Sequence, residues 1–102
     1  MLGLEKQSLT RWLWLVEYNF LIGRKGTLAY VGAIISKVNP DKDNLVINAR
    51  GKLNNKAIDI ALIVITKVKE FQIKNIKLES KKQLSKQNRE INLSCIEIKI
   101  GV

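Results

Sequence analysis

The chain has 102 residues, 46% of them hydrophobic, with 18 Lys+Arg against 9 Asp+Glu and a formal charge of +9. That length and composition fit one domain with a small but real core, not a disordered chain. His is absent and Cys95 is the single cysteine, which excludes a Cys/His zinc site and an intramolecular disulfide. An unpaired thiol fits a reducing, cytoplasmic setting. Without His, a general base working near neutral pH would need a strongly shifted carboxylate or lysine. No carboxylate pair, metal-ligand cluster or nucleophile–base set is legible, so a non-enzymatic protein without metal or cofactor is expected. The basic excess points to a polyanionic partner: nucleic acid, an acidic membrane face or a ribosomal surface.

The first apolar run is "WLWLVEYNFLI", residues 12–22. It is too short for a membrane span, contains Glu17 and Asn19, and has no small-residue cleavage site. Its even positions, from Trp12 to Ile22, are all apolar or aromatic, and period two predicts a strand, clearest at 16–22. Residues 1–14 read as an N-terminal extension of a single domain spanning 1–102. Trp12 and Trp14 sit in net-neutral surroundings, which favours packing over base stacking. "GRKG" (23–26) breaks the strand.

Residues 27–39 carry apolar side chains at 28, 31, 35 and 38, one face of a helix. Thr27 is the expected cap, and Asn39-Pro40-Asp41 the stop. "NLVINA" (44–49) reads as a buried strand, and Arg50-Gly51 turns the chain. Asn54 or Asn55 is expected to cap a second helix over roughly 55–69. There Ala57, Ala61, Val64, Ile65 and Val68 cluster on one face at 100° per residue. Leu62 and Ile63 fall on the other side, beside Asp59, Thr66 and Lys69, which predicts a second apolar partner: another dimer or a partner protein, favoured over the chain's own start, "LTRWLW". Asp59 reads as a helix-start charge or an ion-pair partner. Residues 71–84 form a strand with Ile76 and Leu78 on one face and Lys77 and Glu79 on the other. "SKQNR" turns into a last strand, 90–100. Apolar parity shifts there near Cys95, which predicts a bulge or burial of both faces. Cys95 itself reads as a buried small hydrophobe.

The order is β-α-β-α-β-β. It predicts a two-layer α+β domain: a four-stranded mixed sheet with two helices on one face. The charge is localised. Residues 23–56 carry +5 and residues 81–102 carry +3, whereas 1–22 are neutral and 57–80 carry +1. The excess lies in "GRKG", "RGKLNNK" (50–56) and "KKQLSKQNR" (81–89). Helical crossovers keep the first three strands parallel. The two strand-to-helix turns and the final hairpin then fall on one edge of the sheet, with two helix N-termini that favour anions. Phosphate is the expected guest.

Across about residues 17–100 the chain resembles the Alba family of small chromatin and RNA-associated proteins. The resemblance rests on "FLIGRKG" (20–26), "YVGAI" (30–34), "INARGK" (47–52), "KAID" (56–59) and "SCIEIKI" (94–100), in that order. It implies a fold like the C-terminal domain of bacterial translation initiation factor 3. It also implies a homodimer, or a heterodimer with a paralogue, and a cytoplasmic, chromosome-associated protein. By the same resemblance Arg24, Lys25, Arg50 and Lys52 lie against phosphates. The last hairpin is an arm along the minor groove, with Lys81, Lys82, Lys86 and Arg89 as candidates; Lys56 joins the body contacts. Three positions depart from the family pattern. Arg24 replaces the usual lysine, a proposed acetylation site in some members. Gly26 replaces the usual proline. Val68 stands where some members have an aromatic residue for dimer–dimer packing.

The expected function is therefore dimeric, largely sequence-independent binding of double-stranded DNA or RNA, coating or compacting it by backbone contacts. The alternative is an RNA-binding subunit of a ribonuclease P-like particle. In that case Leu62, Ile63 and Val68 on the second helix would dock other subunits.

Overall fold

The computed structural model of the chain describes residues 16–41 and 43–102. Its elements are β1 (Val16–Leu21), α1 (Thr27–Lys37), β2 (Asp43–Arg50), a 3-10 turn (Gly51–Leu53), α2 (Asn54–Lys67), β3 (Gln72–Leu84) and β4 (Glu90–Gly101). The sheet order is β1-β2-β4-β3, with β1 and β2 parallel and the other neighbours antiparallel. This is the two-layer, mixed-sheet α+β architecture expected. The expected strand residues 12–15, and with them the packing role of Trp12 and Trp14, lie outside the described residues.

β1 alternates as its sequence requires: Tyr18 and Phe20 pack on the core, while Glu17, Asn19 and Leu21 are exposed. α1 departs from expectation in its rotation. Its buried residues are Val31 and Ile34, followed by Val38 just past the end, whereas Leu28 is 72% exposed and Ile35 is also exposed. The segment carries one charge, Lys37, at its end. Periodicity therefore had no polar side to orient it. Tyr30 supplies the missing constraint, because its hydroxyl accepts the Gly23 N–H at 2.7 Å. Thr27 is not the cap: Gly26 holds that position in extended backbone, without a side-chain cap. The helix stops where expected. Asn39 Oδ1 accepts from the Asp41 N–H (3.0 Å), and the Asp43 carboxylate accepts from the Asn39 N–H (2.8 Å).

β2 buries Leu45, Ile47 and Ala49 toward the helices. Gly51 then adopts φ +57, a left-handed conformation that glycine takes without steric cost, and the chain turns into α2. Neither Asn54 nor Asn55 caps α2; Leu53 is the N-cap residue and makes no side-chain bond. Asn54 instead donates its amide to the carbonyl (3.3 Å) and hydroxyl (3.0 Å) of Ser94. α2 buries Ala57, Ile60, Ala61 and Val64, spaced i, i+3, i+4, i+7. With Val31, Ile34, Ile96, Ile98 and Ile100 they form one core between the helices and the sheet.

β4 contains no bulge near Cys95. Its pairing with β3 runs unbroken from Lys99 to Glu90, and the register shift lies in β3 between Ile73 and Asn75. The parity change is a change of face. Ile96, Ile98 and Ile100 lie under the helices, whereas Leu93 and Cys95 point to the helix-free side and are half-buried. Cys95 is thus not a core residue.

Candidate nucleic-acid interface

Strand directions decide where the basic segments go. β4 runs antiparallel to both β2 and β3, and β1 runs parallel to β2, so β1, β2 and β3 share one direction. Their C-terminal ends, hence the loop 23–26, the turn Gly51–Leu53 and the tip 85–89, all lie at one end of the sheet. The starts of α1 and α2 lie there too.

Two side chains near the start of α2 tie these segments together. The Lys56 ammonium donates to the carbonyls of Gly23 and Lys25, each at 3.0 Å. Two residues earlier, Asn54 holds Ser94 in the ribbon of β3 and β4. The loop after β1 and the root of the ribbon are therefore both fastened to one helix start.

The ribbon reaches beyond the rest of the sheet. Pairing of β2 with β4 ends at Arg50–Cys95, but β3 and β4 continue for five more rungs, from Ser80–Ser94 to Leu84–Glu90. At about 3.4 Å per residue this arm extends about 17 Å past Arg50. Its tip is internally bonded. Ser85 Oγ accepts from the N–H groups of Gln87 and Arg89, and Asn88 takes the left-handed turn position at φ 58.

The candidate cations differ in what they already touch. Lys81 lies 4.0 Å from Glu79, and Lys82 lies 3.4 Å from Glu90. Arg24, Lys25, Arg50, Lys52, Lys86 and Arg89 are exposed or at the rim and make no ion pair among the described residues. Lys56 is half-buried with two donors committed to the loop. Glu79 also holds Lys77 at 2.8 Å. That hydrogen bond, then the Lys77 charge, pulls the Glu79 carboxyl below its ordinary value; the same bond, then the Glu79 charge, pushes the Lys77 ammonium up. On the helix-free face a shallow hollow of about 340 Å³ continues from the rim, lined by Arg50, Lys77, Lys81, Glu79, Glu97 and Cys95, among others. Of the three expected interface residues only Leu62 is exposed; Ile63 and Val68 are half-buried against the core. Asp59 is exposed and lies past the first turn of α2, so it is not a helix-start charge.

Sequence reasoning missed the roles of Tyr30 and Glu79, and gave Asn54 a different one, as a helix cap. For Glu79 a signal existed: on a strand, residues two apart share a face, so Lys77, Glu79 and Lys81 had to be neighbours. Tyr30 bonds to Gly23 only seven residues earlier, a spacing that hydrophobic periodicity does not register, and Asn54 bonds to Ser94 forty residues on, which leaves no local trace.

Among the described residues no three of His, Cys, Asp or Glu gather to hold a metal ion, and no helix is long and apolar enough to cross a membrane. What remains is a scaffold of defined class: a two-layer β-α-β-α-β-β domain with three basic segments at one end and a projecting two-stranded arm. The Alba family model matches residues 19–80. The chain is 33% identical over 89 residues to the "DNA/RNA-binding protein Alba" of Thermoplasma acidophilum, covering 85% of this chain and 99% of that one. To the protein of the same name from Picrophilus torridus it is 39% identical over 84 residues, covering 80% and 92%. The structure of Alba from Thermoplasma volcanium superposes with a TM-score of 0.74 at 29% identity, covering 82% of this chain and 99% of that one. This chain belongs to the Alba family.

Proposed function

We propose that this protein binds DNA or RNA through the phosphate backbone, with little dependence on sequence, and coats or compacts it. The relatives' printed name, "DNA/RNA-binding protein Alba", supports the ligand class. The observation that carries the reading is the gathering of three basic segments at one sheet end, two of them fastened to the start of α2 by Lys56 and Asn54. Arg24, Lys25, Arg50 and Lys52 contact phosphates from the body. Lys86 and Arg89, assisted by Lys81 and Lys82, follow the strand from the arm. Point-charge contacts of this kind position a polyanion without reading bases.

The working unit is a homodimer, or a heterodimer with a paralogue. Exposed aliphatics on the helix side support it: Ile58 (39%) and Leu62 (49%) on α2, and Ile76 (52%) and Leu78 (72%) on β3. By register Ile76 and Leu78 stand opposite Ile98 and Ile96, over which α2 packs, so the four form one margin that a second chain can cover.

Binding is tested with unrelated duplexes of equal length and the variants Lys25→Ala and Arg50→Ala. Each variant is expected to weaken binding by a similar factor for every sequence. A loss confined to one sequence would contradict backbone binding. For assembly, sedimentation equilibrium is expected to give a dimer that Leu78→Lys weakens; a wild-type monomer at micromolar concentration refutes that part. The same margin suits a different subunit, as in a ribonucleoprotein. Recovery of the native protein with one defined RNA and other chains, rather than with bulk nucleic acid, would favour that second reading.

A further inference from the structure

Lys56 is the candidate cation whose geometry does not suit a phosphate contact. Its side chain is half-buried, and its ammonium already donates to two carbonyls, Gly23 O and Lys25 O, at 3.0 Å each. On the same loop, Tyr30 accepts the Gly23 N–H at 2.7 Å. The loop is thus gripped from α2 by a donor and from α1 by an acceptor. We propose that Lys56 and Tyr30 are positioning residues, a two-sided clasp that holds the loop Gly23–Gly26 in a phosphate-ready shape. This rests on the reading of that loop as part of a nucleic-acid surface.

The consequence for the backbone follows from peptide geometry. In a planar trans peptide the N–H points opposite to the C=O. The carbonyls of Gly23 and Lys25 point at Lys56, so the N–H groups of Arg24 and Gly26 point away from it. Neither N–H has a hydrogen-bond partner among the described residues. Gly26 needs such a constraint more than a proline would, because glycine does not restrict its own φ. Charge-assisted bonds to two carbonyls are the strong kind available to a lysine. Lys56 therefore acts on binding through the order of the loop and the placement of Arg24 and Lys25, not as one more neutralised phosphate.

The two roles separate in one experiment on the full chain. Lys56→Met, Tyr30→Phe and Lys52→Met are compared for duplex DNA affinity against KCl concentration and for ¹⁵N order parameters of residues 23–26. Lys52 is exposed and serves as the direct phosphate contact. Lys52→Met is expected to lower the salt slope by about 0.9 and leave the loop rigid. Lys56→Met is expected to weaken binding by about tenfold through lost preorganisation, with a slope within about half a unit of wild type. Its loop order parameters are expected to fall from about 0.85 toward 0.6. Tyr30→Phe removes no charge, and is expected to loosen the loop and weaken binding at an unchanged slope. The clasp is overturned if Lys56→Met lowers the slope as Lys52→Met does while the loop stays rigid, or if Tyr30→Phe loosens the loop and binds as wild type. Wild-type protein that binds neither duplex DNA nor RNA refutes the functional reading instead; the order parameters still decide whether Lys56 holds the loop.

Discussion

Removing the arm is the most informative perturbation of the surface. Glu79 and Cys95 are paired across the ribbon, so residues 80–94 can be replaced by an Asn-Gly turn joining them. None of the removed residues belongs to the core cluster. The change deletes Lys81, Lys82, Lys86, Arg89 and Glu90. Lys82 is already paired to Glu90, and Lys81 lies near Glu79, so two unpaired cations, Lys86 and Arg89, dominate the loss. At about 0.9 log unit per phosphate, the salt slope should fall by about 1.8 per chain. The lost reach of about 17 Å is about five base-pair steps of 3.4 Å, so each chain's footprint should shorten by about that much. Asn54 loses its Ser94 partner, which costs about 1 kcal/mol, or about 4–8 °C in Tm. The assays are anisotropy titrations over a KCl series, hydroxyl-radical footprinting and thermal unfolding. A cooperatively folded variant with the wild-type slope and footprint would refute the role given to the arm.

Three further outcomes follow from particular residues. Glu79→Gln releases Lys77 and Lys81, so binding should tighten and the salt slope steepen; weaker binding in the same titration would contradict that pairing. Gly51→Ala meets only an ordinary contact with Leu93 at 3.5 Å, but it forces φ +57 on a residue with a Cβ. It should lower stability by roughly 1–2 kcal/mol in urea unfolding, and no loss would show that the turn relaxes freely. Ile98→Ala opens the core where the side chain is 1% exposed. It should cost about 2–5 kcal/mol, enough to move Tm by about 8 °C or more; a smaller shift would mean that the core collapses around the gap.

Element order, sheet class and the gathering of basic turns were legible because each rests on a strong local signal. The period-two run at 16–22, the Asn39-Pro40-Asp41 stop and the Arg50-Gly51 turn belong to that kind. The rotation of α1 was not legible, since a helix with one terminal charge offers no polar side to read. Both helix caps were misassigned for a related reason. Gly26 needs no side chain to begin α1, and Asn54 has a stronger use in holding Ser94. At Cys95 the parity change was visible, but its cause was the sheet thinning from four strands to two, where the buried face ceases to be defined. The candidate site divided in the same way. Charge placement could be read, but whether a cation is free, as Lys52 is, or committed, as Lys56 is, depends on contacts between residues more than 30 apart.

The central claim is that a polyanion lies along the sheet end carrying loop 23–26, the turn at Arg50–Lys52 and the arm. A titration of ¹⁵N-labelled protein with a short duplex, following every backbone amide, tests it most directly. The largest shifts are expected at Gly23–Thr27, Arg50–Asn55 and Ser85–Arg89, with little change at Asn39–Asp41 or Val68–Phe71 on the opposite end. Shifts centred on that opposite end, or spread evenly over the molecule, would contradict it.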